Sequence, residues 1–284
     1  MHMKRAIVVF ILVFFAAVQV NAWTIEHTNL AIHSSGKTRM LAMKMSKLYG
    51  VQALNNFPIG KKQLAQRDLV KAKTAMDEIY KALLAFEPVA TNAELAEQVK
   101  TAQSSWIELE KLLSKPPSKT GFLDVLEASD VLLDKNEIMT SYMESLSPVP
   151  MSEIINMAVR QQMYAMKLSR DYLAAYMDID KEYRIDLMLD AAIEFESAML
   201  MMEGATENTA KISGLINSIT KMEWKKVYET ATECIESNGE KFNIPMMVKF
   251  CDTLLGKAER LAGLYVVVSD VNVAVAGDNV TQQK

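Results

Sequence analysis

The sequence predicts an all-α protein: two tandem antiparallel four-helix bundles that follow a cleaved signal peptide. Three observations carry this. The 284 residues include only 10 Gly and 7 Pro, and the chain is rich in Ala, Leu, Lys, Glu and Met, which favour helix. Apolar residues recur at helical spacing over long stretches, separated by short proline- or asparagine-bearing breaks. The chain also matches itself. Met40, Ala42, Met43, Lys44 and Ser46 return as Met163, Ala165, Met166, Lys167 and Ser169, a shift of 123 residues. Asp130, Leu132, Leu133, Lys135 and Glu137 return as Asp252, Leu254, Leu255, Lys257 and Glu259, a shift of 122. Two elements repeating at nearly one offset indicate a duplicated structural unit.

At the start, Lys4 and Arg5 precede an apolar run from Ala6 to Ala17, and Val20-Asn21-Ala22 follows. A basic flank, an apolar stretch too short to span a bilayer and a small-residue cleavage pattern predict a signal peptide over 1–22. The alternative is an uncleaved anchor. Export implies a periplasmic protein. Loss of Lys4 and Arg5 leaves 29 basic residues against 35 acidic ones. That acidic balance excludes a nucleic-acid partner, which demands a basic face.

The first module spans 24–147. Its first helix covers Thr28–Leu54 and ends in Asn55–Gly60, around Pro58. A second covers Lys62–Leu84, with Leu64, Leu69, Met76, Ile79 and Leu83 on its inner side. Glu87–Ala90 reads as a loop, and Thr91 or Asn92 caps the third helix. That helix carries Trp106 and stops at Pro116-Pro117. Phe122–Leu146 is the fourth. Ser147-Pro148-Val149-Pro150 is the boundary, because Pro disfavours helix at the residue before it. The second module spans 151–270, with helices over Ser152–Tyr176, Arg184–Met202, Asn208–Ser237 and Ile244–Val268. Trp224 is the counterpart of Trp106, and Pro245 sits in a first turn where its missing N–H costs nothing. Residues 271–284 read as a flexible tail. Short connections imply antiparallel neighbours.

The repeated stretch around Met40 and Met163 resembles the A-G-R-Q-R-M-L-S-Q-R-M-A-K signature of PilJ-type periplasmic sensor domains from type IV pilus-linked chemoreceptors. That family is similar to the nitrate-sensing bundle of NarX-type kinases. The resemblance implies a sensor fold without catalysis. The chain shows no kinase or methyl-accepting region, so signalling would pass through an inner-membrane chemoreceptor or a pilus-associated protein. In nitrate sensors of this kind the ligand arginine directly precedes the motif methionine. That place holds Arg39 in the first copy and Gln162 in the second.

Helical geometry puts positions seven apart on one face. Lys37 and Lys44 therefore stack beside Met40, and Arg160 and Lys167 beside Met163. Cations beside apolar surface suit a small anionic ligand. The competing reading is structural: Asp130, Glu137, Asp252 and Glu259 neutralise these cations across the bundle. Three histidines, without a Ser-His-Asp context, a Gly-rich phosphate loop or C-x-x-C, predict neither catalysis nor a cofactor. The 20 methionines serve better as core filler than as a copper site. Cys234 and Cys251 fall on neighbouring helices, where an oxidising compartment permits a disulfide.

Overall fold

The computed structural model describes Ile25, residues 27–146 and residues 150–281. The expected signal peptide, Trp23 and residues 147–149 of the boundary lie outside them. The described residues are helical, with no strand among them.

Helix α1 (Thr28–Ala53) is followed by α2 (Ile59–Ala85), the short α3 (Glu87–Thr91), α4 (Ala93–Leu113) and α5 (Lys119–Ser145). The second half holds α6 (Pro150–Tyr176), α7 (Lys181–Glu203), α8 (Ala210–Ser218), a π-helical segment (Ile219–Trp224), α9 (Lys225–Glu236) and α10 (Ile244–Thr281). Short polar side chains fix several starts. Asn92, Ser118 and Thr209 accept from the backbone N–H three residues on, satisfying donors that a helix end leaves orphaned. His27 does the same for α1 through Nδ1.

Three expectations are corrected. Glu87–Ala90 is not a loop but most of α3, with Pro88 tolerated because first-turn N–H groups have no helical acceptor. The single helix expected over Asn208–Ser237 is interrupted by the π segment. The expected flexible tail continues α10 as helix to Thr281; no proline follows Pro245 to stop it.

Helices α1 and α6 are the centre of the molecule. α1 packs on α2, α5 and α6; α6 packs on α1, α7 and α10. A helix covered on all sides must be apolar or small all round, which the Ala-, Ser- and Met-rich repeat supplies. One contiguous hydrophobic core runs through both halves.

Equivalent positions of the two copies meet along this central pair. Ser152 Oγ donates to Asn29 Oδ1 at 2.9 Å, and these residues are 123 apart. Gly36 faces Val159, also 123 apart; a Cβ on Gly36 would lie 2.9 Å from Val159 Cγ1 and 2.9 Å from Arg39 Nη2. Two such matches one after the other mean that α1 and α6 run parallel and in register. Glycine is needed at 36 for that close approach.

The repeat extends to smaller devices. Trp106 Nε1 donates to Asp77 at 2.7 Å, and Trp224 Nε1 donates to Glu196 at 2.8 Å. Both indoles are buried, as their place in the pattern predicts. Tyr49 ties α1 to the loop before α5 through Pro116 O, and Tyr172 ties α6 to the loop before α10 through the Asn243 N–H.

Candidate functional site

The seam between α1 and α6 holds the charged residues that the motif carries. Arg39 is fully buried. Its Nη1 donates to Glu137 on α5 at 2.6 Å and its Nη2 to Asn156 on α6 at 2.5 Å. Burial pulls the guanidinium below its ordinary value; Glu137 opposes that and Arg160 adds to it. Arg160 shares the same Glu137 oxygen at 2.9 Å and remains part-exposed. Asn156 in turn donates to Glu144 at 2.5 Å. These five side chains link the buried seam to a recess of about 300 Å³. That recess is lined by Glu144, Glu153 and Glu194, by Arg160, Asn156 and Tyr164, and by the apolar Met157 and Met201.

The second copy is built differently at the matching place. Gln162 is buried, and neither its amide nitrogen nor its oxygen has a partner among the described residues. Shifting the Arg39–Asn156 contact by the repeat points to Gln162 and His33. The His33 Nδ1 is likewise buried and unpartnered. Burial, then the nearby Lys37, pushes the His33 imidazole down to about 4.

The predicted residues therefore divide. Arg39 and Arg160 converge on Glu137. Met40 and Met163 are core side chains. Lys37, Lys44 and Lys167 are half-buried and form no ion pair among the described residues. Of the expected neutralising carboxylates, Glu137 binds Arg39 and Arg160, Asp130 binds Arg170 and Arg184, and Asp252 binds Lys47. No ion pair involves Glu259 among the described residues. Cys234 and Cys251 are free, buried thiols, so the expected disulfide is corrected. Burial raises the Cys234 thiol to about 11 and the Cys251 thiol to about 12.

Lys47, Arg170, Asp171, Arg184 and Glu223 are buried charges that residue spacing missed. Arg170 bonds Asp130 at 2.5 Å and Asp171 at 2.9 Å, and Arg184 reaches Asp171 at 3.2 Å. Lys47 and Arg170 are equivalent by the repeat, as are Asp252 and Asp130. Each cation thus pairs with the carboxylate of the other half. The signal was present in the two offsets, but it needs the parallel α1–α6 pairing before it can be read.

A larger recess, about 860 Å³, lies at the far end of the same helices, lined by Leu54, Phe57, Tyr176, Phe242 and Ile244. It is remote from the motif cations. No family model matches this chain, and no curated protein or solved structure matches it.

Proposed function

We propose that this is an exported, non-enzymatic binding protein made of two PilJ-like four-helix units, α1–α5 and α6–α10, fused along the α1–α6 seam. It recognises a small polar ligand and passes the bound state to a membrane chemoreceptor or pilus-associated partner. The apolar leader and its cleavage pattern support export to the periplasm. The duplicated motif supports the sensor reading.

The observation that carries the ligand is the recess beside the seam. Its volume suits a small molecule. Arg160 stands there among three carboxylates, and Asn156 and Glu137 connect it to buried Arg39. A simple anion is opposed by the glutamates. A zwitterion of the amino-acid class meets both signs: its carboxylate faces Arg160, which offers a planar donor fork, and its ammonium faces Glu144, Glu153 and Glu194.

Calorimetry with amino acids, nitrate and small carboxylates tests this on wild type, Arg160→Gln and Arg39→Gln. The expected result is amino-acid binding that weakens at least about tenfold in Arg160→Gln, the size of a lost charge-assisted contact. Binding of nitrate that requires Arg39 overturns the zwitterion reading in favour of an anion sensor. No binding by wild type leaves a second reading, a structural or interaction protein of the envelope. The complete pairing of Arg39, Lys47, Arg170 and Arg184 favours that one.

A further inference from the structure

Two helices present large outward faces of opposite charge. On α7, Leu189, Ile193 and Leu200 are 45%, 57% and 72% exposed. Asp186 and Asp190 are exposed on the same side, since residues three and four apart share a face. Along its length α7 carries six carboxylates against Lys181 and Arg184, and Arg184 is turned inward onto Asp171. On α2, exposed Arg67 and Lys71 stand between Leu64, 40% exposed, and Val70, 55% exposed, with exposed Lys81 further along the helix. Six basic residues stand on α2 against Asp68, Asp77 and Glu78; Asp77 is engaged by Trp106, Lys71 reaches Asp68 at 3.4 Å and Lys73 pairs with Glu110 of α4.

These helices hold equivalent places. α2 follows α1 and packs on it; α7 follows α6 and packs on that. Because α1 and α6 run parallel and in register as repeats, α2 and α7 flank the seam on opposite sides. α2 and α7 do not pack on each other.

We propose that the outward face of α2 docks onto the outward face of α7 of a second copy of this chain. The stripe of Leu189, Ile193 and Leu200 on α7 is of the kind that marks an interaction site. Opposite charge around them selects the partner and its orientation, and like charge rejects an α7–α7 or α2–α2 contact. One copy offers both complementary faces. The contact is heterologous, so it propagates head to tail instead of closing on a dimer.

Sedimentation velocity of the full chain, as the expressing cell processes it, tests the proposal over a concentration series in low and high salt. Wild type is expected to grow beyond dimer as concentration rises, and less so in high salt, because screening weakens exposed charge pairs. The double variants Arg67→Glu/Lys71→Glu and Asp186→Lys/Asp190→Lys each bring like charges together and should weaken association at least about tenfold. Their equimolar mixture should restore it, because each supplies the face that the other needs. All four positions are exposed, so circular dichroism and melting should match wild type. A wild type that stays monomeric throughout overturns the proposal. So does association that the reversals leave unchanged, or a mixture of folded variants that fails to recover it.

Discussion

The buried ions of the seam are not equally exposed on their partner side, and that difference sets what their removal costs. Asp171 is fully buried between Arg170 and Arg184, whereas Asp252, the partner of Lys47, is 52% exposed. Arg170→Met leaves the buried Asp171 with Arg184 alone as its cation and should destabilise by about 3 kcal/mol, the low end for breaking a buried pair. The equivalent Lys47→Met leaves a carboxylate that water can reach, and should change stability by no more than about 1 kcal/mol. Urea unfolding of both variants checks the contrast; equal losses would mean that the repeat, not burial, governs the pair. Lys44→Met, with no ion pair broken, should be nearly silent. His33 gives a pH dependence. Its folded value, about 4, lies below the ordinary histidine value, so the unfolded chain takes up the proton first. Its contribution is therefore complete at neutral pH and is lost as pH falls from about 6.5 toward 4. His33→Gln should flatten that acid limb relative to wild type, as read from urea midpoints at pH 7 and pH 4.5.

At the scale of elements, the approach of α1 to α6 depends on the missing Cβ at Gly36. Gly36→Ala puts a methyl 2.9 Å from Val159, which should cost about 1–3 kcal/mol as overpacking does. Val159→Ala in the same chain should recover only part of it, since it removes the Cγ1 contact while Arg39 Nη2 at 2.9 Å and the Cβ of residue 159 at 3.2 Å remain. Strict additivity of the two substitutions in a double-mutant cycle would show that the two helices do not touch there. The π segment Ile219–Trp224 sets the register that buries both Glu223 and Trp224. Glu223 accepts from Lys257 at 2.8 Å, and Trp224 stacks on Phe195 with ring centroids 4.2 Å apart. Such a bulge holds one extra residue within a helix. Deleting exposed Thr220 should return the segment to α-helix and rotate Trp224 by about 100° relative to the preceding turn. Its fluorescence should shift to the red and the melting temperature should fall.

At the scale of the molecule, the shared core and the crossed pairs Lys47–Asp252 and Arg170–Asp130 make each half depend on the other. A chain cut between Leu146 and Pro150 and expressed as two polypeptides should copurify as a folded complex. Each half alone exposes the whole α1 or α6 face and should aggregate or pair with itself, because a large uncovered apolar surface favours association. Two soluble, monomeric, cooperatively melting halves would show that the seam is not part of the folding unit.

The helices and their approximate limits were legible in the sequence because they rest on local signals. Those signals are apolar periodicity, capping residues such as Asn92 and proline breaks. The Trp106 and Trp224 anchors followed from the same periodicity. The partner of each charge was not legible, because helical spacing places residues on a face without saying what that face meets. Lys37 and Lys44 share a face as expected, yet the cations that the fold buries and pairs are Arg39, Lys47 and Arg170. The thiols of Cys234 and Cys251 likewise belong to helices near one another in the chain without being bonded. The charge pairings were decided by the parallel docking of α1 on α6, a long-range contact between segments 123 residues apart. Only that contact carries α5 and α10 carboxylates across to the opposite half.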